Sequence, residues 1–350
     1  MHNLQLTEDQ DMVVDTVRKL VADAVTPKVQ ELDEHRGFAR EWFDALAELG
    51  VYGLSVSEEK GGAGMGMLPF VAALESIGAQ SSSLARLWIG QMQAALVLED
   101  TGSDLLDEVA AGDKLVTFAG REHGFTVAGG KLTGKALMVP AAMEADLMIV
   151  AATDGDATVL VSVEAGACER SALRGLGLNS AACGAVTCEG VAATVLASGD
   201  DASTAIDRAE LTAWLGVAGA SVGGAFGSIE AAKKHASERI AFGKPLLVQQ
   251  AVQRKLVECG RAVAAARQLA WHAARVTDLG ECARDTAMQA RIAAVDAMVL
   301  AADESIQIHG GFGYTVEYHV ERHYRDGKTL EVLDGGNDSL RDRLAAATFA

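Results

Sequence analysis

Aromatic residues and positive charge are both scarce in this chain of 350 residues. Phe, Trp and Tyr together make up 5% of it, and 30 Lys and Arg stand against 48 Asp and Glu, which gives a formal net charge of −18. An acidic surface repels phosphate backbones, so we expect no nucleic acid partner. The same field opposes any other anionic ligand, unless Lys and Arg around the binding site overcome it locally.

Cysteines are few, and long apolar runs are missing. The cysteines are odd in number and include no CxxC pair: Cys168, Cys183, Cys188, Cys259 and Cys282. This pattern predicts reduced thiols, without a disulfide framework or a metal site. No apolar run reaches the ~20 residues that cross a bilayer, and residues 1–10 lack the basic and apolar regions of a signal peptide. We therefore expect a cytoplasmic protein that does not bind membranes.

Apolar residues are abundant instead, and their spacing changes twice along the chain. They make up 49% of it, which suits two or three packed units. Residues 1–113 carry them at helical spacing, residues 114–200 in short runs separated by Gly and Asp, and residues 201–350 again at helical spacing. We predict an α+β fold that is mostly α. Its three ranges are an N-terminal helical domain, a small middle β-barrel or sandwich domain, and a C-terminal four-helix bundle.

Local signals place several elements within these ranges. Thr7 and Gln10 form a capping box at the start of the first helix, and Gly50 ends another helix. The pair Gly129 and Gly130 predicts a hairpin between two strands. In the last range we expect three long helices, at 211–239, 246–279 and 281–308. The first of these carries five glycines, which would let a neighbouring helix or a cofactor ring approach closely: Gly216, Gly219, Gly223, Gly224 and Gly227.

Three segments of the last range carry the residue types of a ligand site. The first starts at Arg239 and reads RIAFGKPL, and the second starts at Gln307 and reads QIHGGFGY. The third starts at Glu321 and reads ERHYRDGK, and LDGG follows from Leu333. Taken alone, each segment is an ordinary helix end, at which Gly or Pro stops the helix. The functional alternative is that the Arg faces a pyrophosphate with its fork of donors, and that the glycines let the backbone approach a ligand.

Together these segments resemble the acyl-CoA dehydrogenase family. The patterns R-x-x-F-G-K-P-L-x-x-x-Q, Q-x-x-G-G-x-G-Y and E-R-x-Y-R-D occur there in this order and at these separations, and Glu59–Gly64 looks like the family's P-E-x-x-G-G-x-G loop. The resemblance covers nearly the whole chain. It implies an FAD-dependent enzyme that desaturates an acyl-CoA thioester between C2 and C3. It also implies a homo- or heterotetramer with FAD at a subunit interface, and an electron-transferring flavoprotein as electron acceptor.

The resemblance divides the FAD site into two halves. One half is contributed by the neighbouring subunit, and all of its positions are matched here: Arg239, Phe242, Gln250, Gln307, Gly310 and Gly311. The other half belongs to the chain that holds the flavin, and it departs from the pattern. Residues 118–123 replace T-E-x-x-x-G-S-D, residues 138–140 replace Trp-x-Thr, and Gly336 and Asp338 replace Thr and Gln.

The resemblance also assigns the catalytic base to Asp334, where many relatives have Glu. The shorter side chain sets the carboxylate back by about 1 Å, and such a misplacement can cost ~100-fold in rate. The alternative is a loop carboxylate that only binds backbone amides. A second base position known in the family falls on Ala213, which has no carboxyl group, and Glu210 is not favoured. Leu333 and Trp214 are the expected substrate-pocket residues, with Trp214 replacing an Arg and so removing a charge.

Two functions are the main alternatives from the sequence, and an acyl-CoA oxidase or another reaction on this fold also remains open. The first is an autonomous homotetrameric acyl-CoA dehydrogenase with Asp334 as base. The second is a partner subunit of an α2β2 assembly, such as those of bacterial steroid side-chain degradation, that has lost its own site and lends Arg239 and its companions to a sister subunit's FAD. A bulky acyl group, such as a steroid side chain or an alicyclic acid, is the substrate hypothesis.

Overall fold

The computed structural model describes residues 2–38 and 40–349, and its first third is helical. The helices are α1 (Glu8–Leu20), α2 (Val29–His35), α3 (Arg40–Glu48), α4 (Met67–Gly78), α5 (Ser82–Thr101) and α6 (Leu106–Ala111). The capping box of α1 is confirmed, because Thr7 Oγ1 accepts from Gln10 N and the Gln10 side chain accepts from Thr7 N. Gly50 follows α3 with a φ of 68°, the left-handed conformation that commonly ends a helix.

The middle of the chain forms an eight-stranded mixed sheet within the described residues. Its strands are β1 (Val116–Ala119), β2 (Phe125–Ala128), β3 (Lys131–Val139), β4 (Leu147–Asp154), β5 (Ala157–Glu164), β6 (Glu169–Ala172), β7 (Gly184–Ala192) and β8 (Thr194–Ser198). The strand order is β6-β7-β3-β2-β4-β5-β8, and β1 also pairs with β4. Ala128 pairs with Lys131, so the predicted two-residue hairpin is confirmed. Both β1 and β2 run parallel to β4, which places the segment between them against the helices.

The last part of the chain returns to helices. They are α7 (Gly199–Glu238), α8 (Gln250–Asp278), α9 (Arg284–His309), α10 (Glu321–Val332) and α11 (Gly336–Phe349), and the short strands β9 (Ile240–Ala241) and β10 (Lys244–Pro245) follow α7. The predicted start of the first long helix at residue 211 was wrong. The apolar stripe continues towards the N-terminus at helical spacing and is buried, so the helix begins at Gly199: Ala202, Ala205, Ile206 and Ala209.

The glycines of α7 include positions where a neighbouring helix approaches closely. A Cβ added to Gly223 would lie 2.1 Å from the backbone oxygen of Glu75, and one added to Gly219 would lie 2.6 Å from that of Val71. Both acceptors belong to α4. Of the two interpretations of these glycines, a helix contact therefore holds at Gly219 and Gly223.

The helices of the first third and of the last part share one apolar core. Trp88 on α5 and Trp214 on α7 both lie within it, whereas the sheet encloses a second core around Phe125 and Val161. Arg86 on α5 and Arg291 on α9 are brought into the helical interior by this packing. In residues 2–38 and 40–349, no helix is both long and apolar enough to cross a membrane.

Candidate functional site

The predicted base, Asp334, lies in the turn between α10 and α11 and is held by two buried arginines. Arg86 Nη2 donates to Asp334 Oδ1 at 2.7 Å, and Arg291 Nη1 lies 3.9 Å from Oδ2. The Arg86 and Arg291 side chains are 3% and 0% exposed, and that of Asp334 is 21% exposed. Asp334 also has a φ of 52°, a left-handed conformation that is uncommon outside Gly, Asn and Asp. The carboxylate is therefore the counter-ion of two guanidinium groups.

The two arginines also bind the structure around Asp334. Arg291 Nη2 donates to the backbone oxygens of Leu330 at 3.2 Å and Leu333 at 2.5 Å, which satisfies carbonyls at the end of α10. Arg86 Nη1 donates to Gln93 Oε1 at 3.2 Å, two turns further along the same face of α5. Burial lowers the pKa of Arg291, and the charge of Asp334 opposes that shift. The carboxylate thus stabilises a charge that the core would otherwise reject.

Two cavities meet at Asp334. One, of about 240 Å³, lies between α7, α11 and the turn after β1, and Trp214 lines it. The other, of about 270 Å³, lies between the sheet and the end of α10, and Leu333 lines it. The structure therefore brings Asp334, Trp214 and Leu333 to one region, as the sequence predicted for a substrate pocket. Whether they bind an acyl group stays a prediction.

The first cavity is lined by ion pairs. Glu210 Oε1 accepts from Arg121 at 3.2 Å, and its Oε2 accepts from Arg284 and Arg343 at 3.0 Å each. The Arg284 guanidinium also lies 5.0 Å from the centroid of the Trp214 ring. Replacing an Arg by Trp214 therefore does not remove positive charge from this region. Glu210 is thus the ion-pair partner of three guanidinium groups beside this cavity.

Glu122 is a residue that the sequence did not single out. It lines both cavities, and its side chain is 30% exposed and lies 3.3 Å from His123 Nε2. Burial, followed by repulsion from Asp334, raises the pKa of Glu122 to about 6. The sequence did carry a signal that could have identified Glu122. Residues 118–123 depart from the T-E-x-x-x-G-S-D pattern, and this departure puts a carboxylate where the resemblance implies a cofactor-binding loop.

The six predicted cofactor residues lie elsewhere and are exposed. Phe242 and Gly243 form the two-residue turn between β9 and β10, with φ of 53° and 76°. This is the turn type that suits a tight hairpin, and it leaves Phe242 97% exposed. None of the six lines either cavity beside Asp334. They are Arg239, Phe242, Gln250, Gln307, Gly310 and Gly311.

Helix packing brings the two segments that carry these residues together. His235 in the last turn of α7 stacks on His309 at the end of α9, with ring centroids 4.2 Å apart. Leu246 packs against Ile308 in the same small apolar cluster. Arg239 and Gly310, which follow these two helix ends, therefore lie at one end of the helical bundle. A Cβ added at Gly310 or Gly311 would meet nothing within 4 Å, so their backbone is open to a ligand. We call the six residues the donor face.

The comparisons with known proteins agree with this architecture. Residues 7–108 match the model of the acyl-CoA dehydrogenase N-terminal domain, and residues 213–349 match that of the C-terminal domain. The chain is 25% identical to a 3-(aryl)acrylate reductase of Clostridium sporogenes, over 95% of this chain and 96% of that protein. Its fold matches butyryl-CoA dehydrogenase from Megasphaera elsdenii with a TM-score of 0.92 at 22% identity, over 100% of both chains. It also matches a chain of the ChsE4-ChsE5 complex from Mycobacterium tuberculosis, with a TM-score of 0.88 at 22% identity over 100% of both chains.

This chain belongs to the acyl-CoA dehydrogenase family, whose members are FAD-dependent oxidoreductases acting on the CH–CH bond of acyl-CoA thioesters.

The donor face fits FAD. It offers a guanidinium, two side-chain amides and open glycine backbone, the groups that bind phosphate and ring carbonyl oxygens. The half of the site that would hold FAD within the same chain does not fit. Residues 118–123 and 138–140 carry no hydroxyl, and the nearby Thr117 hydroxyl already donates to Pro140 O at 2.6 Å within the core.

Proposed function

We propose that this chain is a subunit of an oligomeric FAD-dependent acyl-CoA dehydrogenase, in which its donor face completes the FAD site of a sister subunit. A single contrast carries the proposal. The donor face is open and unpartnered in the described protomer, whereas the carboxylate at the base position is paired with Arg86 and Arg291.

Exposure of the donor face supports this role. Phe242 is 97% exposed and adopts a left-handed backbone conformation. Neither its exposed apolar ring nor that conformation stabilises an isolated protomer. Contact with a second subunit and a flavin would cover the ring. The guanidinium of Arg239 would then face the pyrophosphate, as the family resemblance implies.

The charges at Asp334 support the loss of the chain's own site. A general base must come within about 3 Å of the proton that it removes. Oδ1 of Asp334 already accepts from Arg86, and the carboxylate charge is the counter-ion of two guanidinium groups that are almost fully buried. Glu210 is paired with three arginines and offers no replacement.

A second candidate function is the autonomous homotetrameric enzyme. The two cavities that meet at Asp334 favour it, because Trp214 and Leu333 would line a place for an acyl chain. In that case Asp334 removes the C2 proton of the thioester. A bulky acyl-CoA substrate and an electron-transferring flavoprotein as acceptor are proposed for either assembly.

Flavin stoichiometry separates the two functions. The purified chain alone is expected to be colourless, and the chain co-expressed with a homologue of the family from the same genome is expected to carry one FAD for each pair of chains. One FAD per chain in the protein alone, bleached by an acyl-CoA, would instead establish the autonomous enzyme. A panel of acyl-CoA thioesters given to the flavinated complex then identifies the substrate.

Matched variants test the donor face within the complex. Arg239→Gln removes a charge-assisted contact and is expected to weaken FAD binding by roughly 10- to 100-fold. Arg261→Gln on the exposed face of α8 is the control and should leave FAD binding unchanged. Phe242→Ala has a similar control in Phe349→Ala, since Phe349 is 86% exposed. Turnover per bound FAD, measured on the folded complex, should not change in Asp334→Asn if the sister chain supplies the base, and should be abolished in the autonomous enzyme.

A further inference from the structure

Two of the five cysteines face each other across neighbouring strands of the sheet. Cys168 directly precedes β6, Cys188 lies in β7, and Glu169 pairs with Thr187 in antiparallel register. The next opposed pair in that register is Cys168 with Cys188. Their Sγ atoms are 2.8 Å apart, and the residues are 7% and 1% exposed.

The strand register alone places these thiols within bonding range. Directly opposed residues of antiparallel strands have Cα atoms about 4.5–5.5 Å apart, and a disulfide accepts Cα separations of about 4.4–6.8 Å. Closing the bond therefore requires no change of strand pairing. The other cysteines have no such partner in the described chain: Cys183, Cys259 and Cys282.

The two sulfurs have different surroundings. A hydrogen bond from Cys188, and then the charge of Arg170, lower the pKa of Cys168. Cys168 also lies beside β6, which is the edge strand of the sheet, whereas Cys188 lies in the second strand. Because Cys168 lies next to the edge strand and is 7% exposed against 1% for Cys188, we take Cys168 as the sulfur that reacts first and Cys188 as the one that reacts second.

We propose that Cys168 and Cys188 form a redox-active thiol pair that a hydroperoxide oxidises to an intrachain disulfide. With hydrogen peroxide, the Cys168 thiolate attacks one peroxide oxygen, the O–O bond breaks, and a sulfenic acid and hydroxide form. The Cys188 sulfur then displaces the sulfenic oxygen as water, so that one peroxide is reduced by two electrons and the two thiols are oxidised. The proposal is independent of the role of the donor face.

The bond would fix a segment that supports the region around Asp334. Residues 169–187 lie between the two cysteines, and within them Gly177 N donates to Thr329 Oγ1 at 3.0 Å and Leu178 N donates to Asp326 Oδ1 at 2.7 Å. Both acceptors are on α10, which ends at the turn that carries Asp334. Cross-linking the strands that anchor this segment restricts the unfolded chain, and should raise the melting temperature by a few degrees.

Peptide mapping after hydrogen peroxide treatment tests the pair. In the full chain, five thiols should react with an alkylating agent under denaturing conditions before oxidation, and three afterwards. Trypsin should yield a disulfide between peptide 136–170, which contains Cys168, and peptide 175–208, which contains Cys183 and Cys188. Fragmentation between Cys183 and Cys188 identifies the bonded sulfur, and dithiothreitol should restore all five thiols.

Serine variants decide the assignment. Cys168→Ser and Cys188→Ser should each lose the cross-linked peptide and the rise in melting temperature, whereas Cys183→Ser should keep both. Oxidation of Cys168 to a sulfinic acid without a cross-link would overturn the proposal. So would a disulfide that joins Cys183, or a wild-type chain that keeps five alkylatable thiols after peroxide treatment. Mapping the wild-type chain gives an answer even if a variant does not fold.

Discussion

Replacing Asp334 by Asn should destabilise this protein even though the residue lies in a surface turn. Asn tolerates the left-handed conformation that Asp334 adopts, so the backbone is preserved and only the charge is lost. The loss leaves Arg86 and Arg291, which are 3% and 0% exposed, without a counter-ion. Removing one partner of a buried ion pair typically costs 3–5 kcal/mol. Because Asp334 keeps 21% exposure, we expect a loss of about 3 kcal/mol in the free energy of unfolding.

Urea unfolding followed by circular dichroism measures this change, and a matched surface variant calibrates it. Asp338→Asn removes a carboxylate that is 97% exposed and pairs with Arg341, so it should change stability by less than about 0.5 kcal/mol. A double-mutant cycle with Arg86→Met should show a coupling free energy of about 2 kcal/mol between the two side chains. The reason is that the double variant no longer contains a buried Arg86 charge without a counter-ion. If Asp334→Asn were as mild as Asp338→Asn, the carboxylate would not be the counter-ion of the buried arginines.

Three further predictions concern titration and packing. The pKa of Glu122 is about 6 in the folded chain against 4.5 for the free group, so this carboxyl favours folding at low pH and loses that effect as the pH rises through 6. Glu122→Gln should therefore stabilise the fold by roughly 1–2 kcal/mol at pH 7.5 and by nothing at pH 4. Equal effects at both pH values would contradict the raised pKa. Burial lowers the pKa of His323 well below 6.5, so the stability that its neutral ring contributes is present above pH 6.5 and is lost as the pH falls. His323→Gln should therefore flatten the acid side of the plot of unfolding free energy against pH. An unchanged plot would contradict the lowered pKa of His323. Gly223→Ala should destabilise the fold by about 3 kcal/mol, because the new Cβ would meet the α4 backbone at 2.1 Å. Gly260→Ala on α8 has open space around its Cβ and should instead stabilise the fold by about 0.5–1 kcal/mol. The melting temperatures of the two variants should therefore shift in opposite directions.

Features written in short stretches of the sequence could be predicted. The capping box at Thr7 and the hairpin at residues 128–131 each depend on residues two or three positions apart, and both are present. The donor-face residues were assigned through the family resemblance of short motifs, and their contact with FAD stays a prediction. The helix beginning at Gly199 was missed at its start, because an Ala-rich stripe gives a weaker apolar signal than Leu or Val.

Features that depend on tertiary packing could not be predicted. Arg86 and Asp334 are 248 positions apart, and Glu210 and Arg343 are 133 apart, so nothing local indicates that they pair. The role of Asp334 changes with that knowledge. The sequence predicts a shortened catalytic base, the fold adds a role as the counter-ion of two buried guanidinium groups, and the catalytic role stays a prediction.

The chain is acidic, yet its family binds FAD, which is an anionic cofactor. The pairing of its arginines reconciles these two properties, because some guanidinium groups are neutralised within the chain and others are not. Around Asp334, the guanidinium groups face carboxylates of the same chain and are neutralised by them. Arg239 differs, since none of the ion pairs in residues 2–38 and 40–349 involves it, and it is exposed at the same end of the helical bundle as the open backbone of Gly310. A pyrophosphate approaching this protein therefore meets unneutralised positive charge at the donor face, and paired charge in the cavities. That distribution is the charge pattern that the proposed role of the donor face requires.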